Sequence, residues 1–510
     1  MDHPAACIRQ KLGTSAMAYV TEKCLCCTTD TSGPRWVSTG PGYGGDRMDS
    51  LVIEGCTVAT VDGTAGGVIT AAGTGTEYGP GHLVLRDGRI TAVGAGPAPA
   101  VENARVVDGR GCLATPGLVG THHHLFQGLT RGLAQDSGLM RWLTALYPLW
   151  AGLDAELHGT AARAGLATLA LSGCTTTADH HYLFPRGSDD LLAAGIGAAR
   201  QIGLRLHACR GSLDVGASAG GLPPDSVTED RDDILAATEQ AIEAFHDSGP
   251  AAMVRVAVAP CAPFTVSEQL MRESAELARR KGVRLHTHLA EARDEHDFCR
   301  ERFGRTPVEY MESLGWLGGD VWMAHCVHVD RAGLTRLGRT GTGVAHCPTS
   351  NARLGTGIAP VPELIAARAP VGLGTDGAAA NDNGGLAGEM RQSLLAARAR
   401  QGATALSARQ ALAAATMGGA RCLGREDEIG SLEVGKQADV ALWRLDELGQ
   451  AADDPVWALV CGPPARLELL TVAGRPVVEA GQLCTADPVT LARDLRAAAR
   501  ALLVAGGSRS

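Results

Sequence analysis

Apolar and polar positions along this 510-residue chain change their period twice. From Leu51 to Leu113 they alternate every second residue in short runs, the spacing of half-buried strands. "GHLVLRDGRITAVG" predicts a hairpin whose turn is Asp87-Gly88, a pair that tolerates positive φ. From Gly117 the texture becomes strand, loop and amphipathic helix, repeated. Strands are predicted at Gly117–Thr121, Thr175–Asp179, Leu204–Cys209, Met253–Ala259, Val283–Thr287, Val321–Ala324, Gly343–Ala345 and Val371–Gly374. Helical periods lie between most of them, as at Leu153–Leu171, Asp232–His246 and Ser267–Arg280. Eight strands alternating with helices predict an α/β fold, a closed (β/α)8 TIM barrel. No G-x-G-x-x-G follows the first strand, which argues against an open, doubly wound sheet.

Past Gly424 the short period returns in "IGSLEVGKQADVALWRL" and "LLTVAGRPVVEAGQL". The two ends are therefore expected to pair into a small β-sandwich domain beside the barrel. The division that follows is a leader over 1–47, β segments over 48–114 and 426–490, the barrel over 115–425, and a C-terminal helix and tail over 491–510. The leader lacks periodicity and is read as disordered, and as a segment that need not belong to the native product.

Composition narrows the function classes. The chain is 45% hydrophobic and 20% charged, normal for a globular protein, and its net charge of −9 argues against nucleic acid or an anionic membrane as partner. No apolar run long enough to span a bilayer is present. Most of the fifteen cysteines stand singly in apolar strands, as buried thiols of a cytoplasmic protein do.

The candidate chemistry sits at the ends of predicted strands, where this architecture places reactive groups. Strand one ends in His122-His123-His124, strand five in "LHTHLAE", strand six in "MAHCVH", strand seven in "VAHCPTSN" and strand eight in "GLGTDG". Several imidazoles and one carboxylate at one rim suit zinc or a similar ion. Because side chains alternate along a strand, His122 and His124 share a face and His123 points away. In "HTHLAE", His286 and His288 share a face in the same manner, and Glu291 follows on the next loop.

Together these motifs resemble the amidohydrolase superfamily, with "PGLVGTHHH", "HTHLAE", "AHCVH" and "GLGTDG" matching its strand-end signatures and the flanking β segments matching as well. The resemblance covers about Leu51 to Leu483. It implies His122, His124, His288, His325 and Asp376 as metal ligands, and Glu291, His346 and Asp376 as catalytic groups. Two-metal members carry a lysine at the end of strand four. Here "MVRVAVAPCAP" has none, and Lys281 falls at a helix end, so one divalent ion is expected, zinc, with ferrous iron as the alternative.

Within the superfamily, "HHHLFQGLTRG", "SGCTTTADHHYLFP" and "VAPCAPF" are most similar to 8-oxoguanine deaminases, with s-triazine aminohydrolases sharing much of the pattern. The implied reaction is hydrolytic deamination of an amino-heterocycle, 8-oxoguanine to urate and ammonia, in a homo-oligomer. In that scheme Asp376 takes a proton from the attacking water, Glu291 protonates the ring nitrogen, and His346 steadies the tetrahedral intermediate. Gln127, Arg210, Trp150 and Tyr182 are candidates for substrate binding. Triazine, pterin or adenosyl-compound deamination is the alternative reading, and a non-catalytic scaffold on the same fold the remote one. Such scaffolds lose metal ligands, and here all five are present.

Overall fold

The computed structural model describes residues 50–62, 75–187 and 190–507. The expected leader and the start of the first strand at Met48 lie outside the described residues.

The predicted barrel closes. Its strands, one to eight, are Leu118–Gly120, Cys174–His181, Arg205–Ser212, Val254–Pro260, Arg284–Leu289, Val321–His325, Gly343–His346 and Val371–Leu373. All neighbours are parallel, and Leu373 pairs with Gly120 to seal the ring. Strands two, three, six, seven and eight are buried along their whole length; six to eight are largely apolar, whereas two and three bury polar side chains such as Thr175, Asp179, Arg205 and His207.

Both ends of the described chain contribute to one nine-stranded mixed sheet. Its N-terminal part includes Leu51–Ala59, Glu77–Arg86, Arg89–Ala95 and Cys112–Pro116, and its C-terminal part Val440–Arg444, Arg466–Val472 and Arg475–Glu479. The expected hairpin is present, with Asp87 at φ 50° and Gly88 at φ 77°. The halves join where Cys112–Pro116 runs antiparallel to Val440–Arg444, Leu113 opposite Trp443. Leu51, Ile53, Leu83, Leu85, Val440 and Leu442 form part of a small core separate from that of the barrel.

A buried ion pair ties sheet to barrel. Arg205 opens strand three, and its guanidinium donates to both oxygens of Asp439 at 2.9 and 3.1 Å. It also donates to Gln437 Oε1 at 3.2 Å and to the Ala251 carbonyl at 2.9 Å. A charge without solvent needs such a complete set of partners.

Candidate active site at the barrel mouth

The rings that the sequence places at strand ends converge. His124 Nε2 lies 3.1 Å from His288 Nε2 and 3.2 Å from Asp376 Oδ1, and His122 Nε2 lies 3.6 Å from the same oxygen. His325 Nε2 stands 3.6 Å from Glu291 Oε2, and its ring centroid is 5.4 Å from that of His122. Two donors each ~2.1 Å from a tetrahedral ion stand roughly 3.4 Å apart, so these separations fit a divalent ion.

Hydrogen bonding fixes which nitrogen of three of these rings is free. His124 Nδ1 donates to the His180 carbonyl at 2.6 Å and His288 Nδ1 to the Cys261 carbonyl at 2.7 Å. His286 Nδ1 donates to the Trp322 carbonyl at 3.0 Å, which leaves its Nε2 an acceptor. His122 Nδ1 therefore donates to His286 Nε2 at 2.8 Å, and the buried His122 Nε2 has no hydrogen-bond partner among the described residues. Three Nε2 lone pairs thus face one point, each set by an outer bond. Burial, reinforced for most of them by neighbouring imidazoles, keeps the rings neutral: His124 and His288 are lowered to about 4, and His122 and His325 well below the usual histidine range.

Backbone strain aims two further groups. Trp322 stacks on His286 inside the barrel, so strict alternation along strand six would send His325 outward. Its φ of 71° breaks that parity and turns the ring to the mouth. Asp376 is likewise left-handed, at φ 59°; its carboxylate accepts from Ser350 Oγ at 2.6 Å and from the Gly377 amide at 2.8 Å. Non-glycine residues persist there only where their surroundings hold them. Ala290, at φ 52°, is the third case. The Glu295 carboxylate accepts from its amide at 2.8 Å and from the Glu291 amide at 3.1 Å. Burial, then the charges of Asp376 and Glu295, raise the Glu291 carboxyl well above the usual range, and its Oε1 has no hydrogen-bond partner among the described residues.

The pocket over this cluster is lined by His124, Gln127, Trp142, Tyr182, Glu291 and Asp376 among others. Gln127 and Tyr182, two of the candidates for substrate binding, line this pocket. Arg210 and Trp150 are not, and both assignments are corrected. His207 lies beside Trp322 inside the barrel, so Arg210, three residues on, points outward; it pairs with Glu229 at 2.6 Å and covers the Phe184 ring. Trp150 is fully buried, and its indole donates to Thr130 Oγ1 at 3.1 Å. The sequence reading missed Trp142, whose buried indole N–H has no partner in the pocket. It also missed His180, stacked on His288 at 4.7 Å, though "ADHHY" at a strand end carried the signal. His346 is buried beside His325 and is not among the pocket-lining side chains. His123 faces a separate cleft with Leu125 and Gly165. Lys281 is held in ion pairs with Glu239 and Glu243.

Comparison with known proteins gives the family. The chain is 47% identical to the 8-oxoguanine deaminase of Pseudomonas aeruginosa, over 83% of this chain and 95% of that protein. It is 38% identical to an isoxanthopterin deaminase from an unknown prokaryotic organism, over 81% of this chain and 91% of that one. The solved structure of atrazine chlorohydrolase TrzN from Arthrobacter aurescens TC1, complexed with zinc, superposes with a TM-score of 0.82 at 33% identity, covering 88% of this chain and all of that one. The model of the amidohydrolase family matches residues 113–477, and the chain belongs to that family.

Proposed function

We propose that this protein hydrolytically deaminates 8-oxoguanine to urate and ammonia. The observation that carries the reading is the meeting, in one buried pocket, of a converging imidazole–carboxylate set with an unpartnered Glu291 oxygen. His122, His124, His288, His325 and Asp376 would hold one divalent ion, zinc in the first instance. Such an ion supplies Lewis acidity, bringing water's pKa from about 15.7 toward 7. The absence of lysine from the end of strand four supports a single ion.

Within that frame the side chains divide the proton work. Asp376 is held by Ser350 and Gly377 with its Oδ1 toward His122 and His124, placed to accept a proton from attacking water. Glu291, kept protonated by burial and by two neighbouring carboxylates, donates to the ring nitrogen beside the carbon under attack. That proton prevents charge from building on the ring as aromaticity is lost. The proton held by Asp376 then passes to the amino group, the C–N bond breaks and ammonia leaves, and the hydroxyl proton on the attacked carbon returns to Glu291 as the carbonyl forms. His346, lowered to about 3 by burial, is a neutral imidazole beside His325 rather than a second acid. The Gln127 carbonyl and the Trp142 N–H, both buried without partners, offer one acceptor and one donor, matching the N–H and C=O of a lactam edge. A cytoplasmic homo-oligomer is the setting we infer; the described cysteines are all free thiols, as a reducing compartment requires.

The test pairs two measurements. Purified protein is assayed for ammonia and urate with 8-oxoguanine, isoxanthopterin and hydroxylated s-triazines, and Glu291→Gln is assayed beside it. We expect 8-oxoguanine to show the highest kcat/KM, and the variant to keep its metal while losing about 10²–10⁴-fold in turnover. Near-normal turnover by Glu291→Gln would remove the acid assignment; preference for a pterin would replace the substrate.

A further inference from the structure

Strand two carries a second cluster on its other face. His180 points into the barrel, so Asp179 and His181 point outward, toward the helices Ala155–Leu171 and Leu191–Ile202. His158, on the first of these helices, places its ring centroid 4.3 Å from that of His181. One donor atom from each of His158, Asp179 and His181 lies within 4.8 Å of the others, and all three residues are buried.

Their bonding is incomplete. Among the described residues neither nitrogen of His158 has a hydrogen-bond partner, and His181 has only a backbone contact with Leu183 to answer its N–H. Each neutral imidazole carries one N–H and one lone pair, so a lone pair on each ring and the N–H of His158 are buried without an answer, against the general rule for interiors. Phe126 and Phe184 pack on His181 and offer no acceptor. Gly195 shows where the free groups point. A Cβ there would stand 2.9 Å from His158 Nε2 and 3.9 Å from Asp179 Oδ2, so both face the same spot beneath the second helix.

We propose that His158, Asp179 and His181 form a second metal site, taking a zinc-class divalent ion between strand two and its two covering helices. Two imidazoles and one carboxylate suit such an ion, with water as a fourth ligand. The ion would draw the donors in from their present span and answer the lone pairs that the protein leaves open. It would also act on the barrel mouth from behind, because Asp179 Oδ1 accepts from the Leu125 amide at 2.8 Å, one residue beyond His124.

The experiment is metal counting on the intact chain, loaded with zinc and freed of loose ions by gel filtration. We expect two ions per chain in the wild type and one in the His124→Asn/His288→Asn double variant. One ion is also expected in His158→Gln and in His181→Gln, with the circular dichroism of the wild type. No ion in the His124→Asn/His288→Asn double variant, or two in His158→Gln, would overturn the proposal in favour of a His–Asp proton-sharing cluster. If the His158 and His181 variants do not fold, cobalt(II) titration of the metal-free double variant decides: saturation at one equivalent supports the site and absence of binding refutes it. Because the double variant isolates this site from the mouth, failure here leaves the deaminase reading untouched, and failure of that reading leaves this site to be counted.

Discussion

Glu295 does not line the pocket, yet its removal is expected to slow the reaction sharply. Its carboxylate, on the first turn of the helix Arg293–Phe303, accepts the amides of Ala290 and Glu291. Burial raises Glu295 to about 7, so it is charged only in part near neutral pH; at about 1 kcal/mol per bond when neutral and about 1.5–3 when charged, the pair offers ~2–6 kcal/mol. Against it stands the left-handed Ala290, which costs roughly 1–3 kcal/mol. The carboxylate wins, and Glu291 is held over the pocket. In Glu295→Ala the strain is unopposed and two buried amides lose their acceptor. The segment relaxes, and a displacement of ~1 Å at a reacting group costs about 10²-fold. We expect kcat to fall by about that factor with KM and metal content little changed, and unfolding in urea to come ~2–4 kcal/mol earlier. Glu295→Gln keeps one acceptor oxygen and should fall between the two. Ala290→Gly, which removes the penalty of a Cβ at this φ, should stabilise the protein by about 1–2 kcal/mol. Full kcat in Glu295→Ala would show that Glu291 is positioned by something else.

Four further outcomes are expected. Gly377→Ala would place a Cβ 1.8 Å from Gln127 Oε1, so kcat/KM should drop while metal content holds; an unchanged value would separate Gln127 from recognition. Arg205→Ala leaves the Asp439 carboxylate buried and unpaired, and urea titration should show a loss of about 3–5 kcal/mol. His123→Asn should retain metal, whereas His122→Asn should lose it, since of these two His122 alone turns its Nε2 to the cluster and His123 faces a separate cleft; metal analysis of both decides. Burial raises the Glu389 carboxyl from 4.5 to about 7 in the folded chain. The unfolded chain therefore releases this proton first, and stability should fall as pH rises from about 4.5 to 7. At ~1.4 kcal/mol per tenfold in proton affinity this amounts to about 3 kcal/mol, and Glu389→Gln should flatten that limb in chemical denaturation followed against pH.

The sequence made the frame legible because period and position are both local. Eight strand-like runs separated by helical ones specify a barrel, and two-residue alternation assigns His122 and His124 to one face without any coordinate. His325 shows where that logic stops. Parity on strand six sends it outward, and only a left-handed φ, held by tertiary packing, brings it to the mouth. Its assignment came from resemblance to a family, not from spacing. The two tryptophans of "LMRWLTALYPLW" show another limit: their rings touch, at 5.4 Å, and nothing local tells which indole N–H meets Thr130 and which stays open to the pocket. Arg210 was within reach, because the parity that served the histidines would have turned it away from the mouth.

The seam between Cys112–Pro116 and Val440–Arg444 has a consequence for synthesis. Pro116 leads almost directly into the first barrel strand, so the strand that starts the barrel is anchored to one that leaves the ribosome more than three hundred residues later. Contacts this distant in sequence close late and slowly. Until then, the apolar face of the N-terminal hairpin has no partner and stays exposed to aggregation. A chain halted before Val440 should therefore be recognised by chaperones as unfinished, whatever the state of its metal site.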